Sequence, residues 1–131
     1  IEKVSKQVFD GKLVNHILVN EYKSGQGIDA HEDGPLYYPC VAIVSLESTV
    51  IIKFKKKEIE MDDDFDSDEE DDQLETLNYV LEPQSLIVFK GTYYTNYLHS
   101  IEETTTSIVD QQTQNRRETY KIGTEIPRGE R

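Results

Sequence analysis

Three histidines, His16, His31 and His99, are the side chains in this 131-residue sequence best suited to metal chemistry. Only His31 has an acid two places on, in the run His31-Glu32-Asp33. On a strand, residues i and i+2 face the same way, so the imidazole and the Asp33 carboxylate can reach one ion together. A second imidazole from a distant strand would complete two histidines and one carboxylate. That set leaves coordination positions open and suits non-haem Fe(II). His99, which closes a β-rich stretch over residues 93–98, is the natural third ligand. His16 has no acidic neighbour and sits beside Leu18 on an expected strand, so it reads as a structural residue. A His-x-Asp pair alone is a common pattern, and lone histidines are more often structural than ligating.

Asn20 and Tyr22 fall on one face of the same expected strand, just upstream of His31. Buried Asn and Tyr side chains need hydrogen-bond partners. An anionic cosubstrate held at the metal would supply them, and a purely structural pairing would serve as well.

The elements that must position these residues are short. Apolar runs rich in β-branched and aromatic residues fall at 16–22, 40–46, 49–54, 77–81, 85–89, 93–98 and 105–109. Such runs read as strands. Lys23-Ser24-Gly25-Gln26-Gly27, Gly34-Pro35, Glu82-Pro83 and Lys90-Gly91 supply turns between them. Only residues 1–9 have a mixed pattern compatible with a helix. Many short strands with frequent turns predict a mainly β domain of the jelly-roll kind.

The chain has room for one domain. Its net charge of −12 is concentrated: ten of its 26 acids lie between residues 60 and 72, and the remainder is nearly neutral. The acidic insert, residues 58–75, reads as a disordered, self-repelling surface loop without a catalytic role. Lys53, Lys55, Lys56 and Lys57 precede it. They either neutralise it locally or form a nucleic-acid-contacting cluster that the acidic run masks. No apolar run approaches the ~20 residues needed to span a bilayer. The opening Ile1-Glu2-Lys3-Val4 is no export signal. The single cysteine, Cys40, excludes an intrachain disulfide framework and suits the cytosol or nucleus.

Longer runs carry a family resemblance. Asn15-His16-Ile17-Leu18-Val19-Asn20-Glu21-Tyr22 is one, and His31-Glu32-Asp33-Gly34-Pro35-Leu36-Tyr37-Tyr38-Pro39 is the most specific. Leu81-Glu82-Pro83-Gln84-Ser85-Leu86, Tyr94-Thr95 and Leu98-His99-Ser100-Ile101 extend it. Together they resemble the AlkB family of Fe(II)/2-oxoglutarate-dependent dioxygenases, in particular the branch around the sixth mammalian homologue. The resemblance spans nearly the whole chain apart from the acidic run and residues 103–120.

The resemblance implies a double-stranded β-helix, incomplete at both ends, with iron on His31, Asp33 and His99. It implies that Asn20 and Tyr22 hydrogen-bond 2-oxoglutarate, and that O2 is the second cosubstrate. Arg128-Gly129-Glu130-Arg131 matches the lead into the family's late Arg-x-Ser-Leu-Thr-x-Arg strand. Arg131 then corresponds to its first arginine, whose guanidinium grips a carboxylate through parallel hydrogen bonds. Ser100 stands where the family usually has glycine. The chain opens without Met and closes on Arg131, so it is expected to be the catalytic core of a longer protein, without the N-terminal lid and the final strand. As a terminus, Arg131 is expected to fray and to hold 2-oxoglutarate poorly. The implied substrate is a methylated base in RNA or DNA. The near-neutral core keeps a protein substrate open, and a non-catalytic jelly-roll binding module is the reading from another class. Oligomeric state is not legible.

Overall fold

A computed structural model of the chain describes residues 2–58 and 75–131. The acidic stretch 59–74 lies outside the described residues, and so does the expectation made for it. The described elements are α1 (Glu2–Val8), β1 (Ile28–His31), β2 (Cys40–Ser45), β3 (Val50–Lys56), β4 (Thr76–Leu81), β5 (Ser85–Lys90), α2 (Thr92–Thr95), β6 (Tyr97–Ile101), β7 (Thr106–Ile108) and β8 (Glu125–Pro127). The four-stranded sheet has the order β1-β6-β3-β4, β2 pairs with β5, and β7 pairs with β8, all antiparallel. The path crosses from one sheet to the other between β1 and β2, β2 and β3, β4 and β5, and β5 and β6. This is the winding of a jelly-roll core, as the strand pattern predicts.

Alternation along β3 builds the interior. Val50, Ile52 and Phe54 are buried, while Lys55 and Lys56 at its end are exposed. Each of those three apolar side chains contributes about 1.5–3 kcal/mol by leaving water. They meet Leu81 from β4, Tyr97 and Ile101 from β6 and Phe89 from the β2–β5 ladder. Phe54 packs edge-on against Phe89 at 5.1 Å and Tyr79 at 5.9 Å, the favoured geometry for aromatic pairs.

β4 is buried on its reverse face as well. Val80 packs there with Val109 and Ile126. The exposed edge expected of the last strand in this sheet is covered too. Asn78 exchanges backbone hydrogen bonds with Gln112 and Gln114. The Asn115 side-chain amide accepts from the Val80 N–H at 2.7 Å and donates to its carbonyl at 2.8 Å, as a neighbouring strand would.

Three sequence expectations are corrected. Residues 16–22 form no strand. Tyr22 exchanges backbone hydrogen bonds with Arg131, but Ile17, Leu18 and Val19 remain largely exposed. β-propensity without a ladder partner does not make a strand. Residues 93–98 are not one strand either. Gly91 has φ +62, and its carbonyl accepts from the N–H groups of Tyr94 and Thr95, closing a helical turn before the ladder starts at Tyr97. Finally, Arg131 does not fray. Its N–H donates to the Tyr22 carbonyl at 2.9 Å, and its guanidinium donates to Ser45 Oγ at 2.8 Å and to the Ser48 carbonyl at 3.3 Å.

β3 and β4 stay in register to Lys55↔Thr76, and the Lys56 N–H donates to the Glu75 carbonyl at 2.9 Å. The chain therefore leaves and re-enters the sheet at adjacent ladder positions. Replacing residues 59–74 with a short Gly/Ser link is expected to leave the melting temperature within a few degrees of the parent, since closure entropy changes slowly with length. Thermal unfolding of both proteins checks this, and a drop of ten degrees or more would contradict it.

Candidate metal centre

The four-stranded sheet sets up a row of side chains on its inner face. Phe54 of β3 is the cross-strand partner of His99 on β6, and His99 is the partner of His31 on β1. An unbroken β1–β6 ladder running from the pair Ile28↔Ile101 would put Ala30 opposite His99. The register shifts between Ile28 and His31, so His31 takes that place instead. A bulge of this kind re-aims a side chain and is favoured beside functional sites. It lets both Ile28 and His31 face inward, three positions apart. At the start of β1, Gly27 passes so close to β6 that a Cβ there would stand 2.1 Å from the Ile101 carbonyl oxygen, so only glycine fits.

Asp33 arrives differently from the sequence expectation. β1 ends at His31, so Asp33 lies in the loop beyond it and not on the same strand face. Gly34 follows at φ +91, a conformation available to glycine at little cost, and turns the chain back. The Asp33 carboxylate then stands 4.0 Å from Nε2 of both His31 and His99. Donor atoms of the three residues lie within 4.8 Å of one another. These gaps exceed a hydrogen bond and suit a shared cation.

Tautomer and burial favour the ligating form. His31 Nδ1 is 2.8 Å from the Asp29 carbonyl, which can only accept. Nδ1 therefore donates to that carbonyl, and Nε2 is the ring nitrogen left facing Asp33 and His99, an arrangement that orients metal-binding histidines. His99 is buried, 5.2 Å from the Phe89 ring and 6.1 Å from that of Phe54. Burial pushes its pKa down, and neighbouring His31 pushes the same way against the opposing pull of Asp33. His99 is thus neutral at neutral pH. About a third of the His31 and Asp33 side chains remains exposed, so the cluster opens to solvent on their side.

His16 does not join the cluster; it is exposed, and its ring lies 5.6 Å from that of Tyr37. His16→Ala is expected to leave metal affinity within about twofold of the parent, far from the 10- to 100-fold typical even of outer-shell losses. Calorimetric titration with Mn(II) checks this, and a tenfold loss would contradict it.

The residues expected at the cosubstrate divide. Tyr22 is half-buried against the core cluster, and the Arg131 guanidinium lies close enough to oppose the rise that burial imposes on the Tyr22 pKa. Burial lowers the Arg131 pKa, which Tyr22 partly opposes. Asn20 is exposed and shares no strand face with Tyr22. Of the lysine group, Lys57 pairs with Glu32 and donates to the Thr95 carbonyl at 2.8 Å.

Sequence reasoning missed the role of Arg128. Only 5% exposed, it donates to the Glu102 carbonyl at 2.9 Å and the Gln26 carbonyl at 2.8 Å. It thereby ties the turn before β1 to the exit of β6, the two strands carrying the histidines. A buried guanidinium that reaches carbonyls 26 and 102 positions away leaves no local signal.

The chain matches the model of the 2OG-Fe(II) oxygenase superfamily over residues 1–122. A curated relative from Danio rerio, named "Probable RNA/DNA demethylase ALKBH6", is 34% identical over 132 residues, covering 99% of this chain and 56% of the relative. The chain thus spans little more than half the length of that relative. It belongs to the 2OG-Fe(II) oxygenase superfamily, on its AlkB-like side. Membership brings Fe(II), 2-oxoglutarate and O2 as the reagents, and the donor set of His31, Asp33 and His99 fits the metal.

Proposed function

We propose that the intact protein is an Fe(II)- and 2-oxoglutarate-dependent dioxygenase that removes N-methyl groups from bases of RNA or DNA, with iron on His31, Asp33 and His99. The observation that carries this is the convergence of two imidazoles and one carboxylate within 4.8 Å, open on one side. Three protein donors leave room for a chelating cosubstrate and O2. When bound, metal and cosubstrate supply oxidation of a methyl C–H bond, with 2-oxoglutarate going to succinate and CO2 and the methyl carbon leaving as formaldehyde.

The chain's own residues bind and orient. The two imidazoles act as neutral donors, and Asp33 offsets part of the cation's charge. Arg131 is the anchor for the distal carboxylate of 2-oxoglutarate, with Tyr22 and Asn20 as further hydrogen-bonding groups. Support for Arg131 and Tyr22 is their backbone pairing, which holds the two side by side. A base within a duplex must flip out, or a single strand must be used, to reach such a site. Among the described residues no helix is long and apolar enough to cross a membrane. Buried, unpaired Cys40 suits residence in the cytosol or nucleus.

The test supplies the intact, iron-loaded protein with pools of methylated RNA, DNA and peptides and follows methyl loss by mass spectrometry beside succinate release. Methyl loss from nucleic acid is expected. Loss from peptides alone would replace the substrate class, and succinate release from none would overturn the enzymatic reading.

A further inference from the structure

Asp33 is the one member of the triad outside a strand, and its 4.0 Å contacts with the imidazoles are too long to fix it. What fixes it is its two neighbours. On one side, Lys57 pairs with the Glu32 carboxylate. The same ammonium donates to the Thr95 carbonyl at 2.8 Å, and the Lys57 N–H donates to the Asn96 carbonyl at 2.8 Å. On the other side, the Tyr94 hydroxyl donates to the Gly34 carbonyl at 2.6 Å. Both ties end on residues 94–96, which run directly into β6 and His99.

The two ties differ in strength. The Lys57 and Glu32 side chains are 30% and 45% exposed, so water screens that pair. Tyr94 is 6% exposed, its ring is set in the main core cluster, and its short hydrogen bond is part-buried. A donor anchored in the core holds a backbone carbonyl one residue from the metal carboxylate.

Resting on the metal reading above, we propose that Tyr94 is a positioning residue for Asp33, with Lys57 as the weaker tie on the opposite flank. Through Gly34, Tyr94 places the carboxylate where both Nε2 atoms face it. It links the loop bearing one ligand to the segment leading into another, so the cation meets a pre-arranged set. Outer-shell partners that orient a ligand typically govern metal affinity by 10- to 100-fold.

Tyr94→Phe keeps the ring and the charge and deletes only the donor. The experiment measures Ni(II) affinity by calorimetry on the intact protein, on Y94F, on Asp33→Ala and on the double variant. Ni(II) is chosen because its tighter binding keeps the weaker variants measurable. Y94F is expected to bind at least about tenfold more weakly, while its metal-free melting temperature stays within a few degrees of the parent. In the Asp33→Ala background, Y94F is expected to change affinity by less than about twofold, because its effect runs through the missing carboxylate. A parent-like affinity in Y94F, or an equal loss in both backgrounds, would overturn the proposal. Failure of the parent protein to bind Ni(II), or parent-like binding by Asp33→Ala, would instead overturn the metal reading and this proposal with it.

Discussion

Replacing His99 with alanine is expected to abolish Fe(II) binding, and His31→Ala or Asp33→Ala to weaken it by more than about 100-fold. The floor is set by outer-shell losses, which reach 10- to 100-fold without removing a ligand at all. His99 is the most sensitive of the three because it is buried between aromatic rings, held neutral, and within reach of both other donors. No other described histidine can take its place: His16 is exposed against Tyr37. Anaerobic titration of each variant with Fe(II), alongside circular dichroism of the metal-free proteins, measures the loss separately from folding. Fe(II) affinity within tenfold of the parent in a folded His99→Ala protein would contradict the assignment.

Deleting the Phe54 side chain is expected to cost about 3–5 kcal/mol of stability, the range for removing a buried aromatic. Phe54 is fully buried, and its ring meets Tyr79, Phe89, Tyr93 and His99. It also backs the row His31–His99–Phe54 across the sheet. Phe54→Ala therefore removes both core packing and the surface against which His99 is set. Phe54→Leu keeps most of the volume and is expected to cost less. Urea unfolding of the two variants, compared at constant slope, measures the difference. A loss below about 1 kcal/mol in Phe54→Ala would show that the core is not centred on this residue.

The sequence and the structure agree where local pattern and long-range pairing point the same way. β2 to β5 are short runs of β-branched and aromatic residues between turn signals, and each finds a ladder partner. The triad was legible as residue types, because His31-Glu32-Asp33 and His99 sit inside motifs specific enough to carry a family resemblance. How the triad is assembled was not legible. A bulge in β1 has no composition of its own, yet it decides that His31 and not Ala30 faces His99. Asp33 reaches the site from a loop, helped by the positive φ of Gly34 and by Tyr94 from sixty residues away.

The opposite failure occurs at residues 16–22. Their alternation is that of a strand, but a strand needs a partner along its length, and among the described residues only the pairing of Tyr22 with Arg131 is made. Asn20 consequently lies exposed rather than on a buried face with Tyr22. The same backbone pair holds Arg131 in place at the end of the chain, where the expectation was a frayed side chain. Its guanidinium sits on Ser45 and Ser48, beside Tyr22, and the cosubstrate reading requires it to be ordered.

The central claim is that His31, Asp33 and His99 hold Fe(II) so that 2-oxoglutarate can chelate it. The direct test is an anaerobic titration of the intact protein with Fe(II) and then 2-oxoglutarate, followed by visible absorbance. Chelation of Fe(II) by the keto acid produces a charge-transfer band that neither reagent gives with an unliganded protein. The band is expected to saturate at one equivalent of Fe(II) in the parent and to be absent in His99→Ala. No band in the parent, or an undiminished band in the variant, would contradict the account.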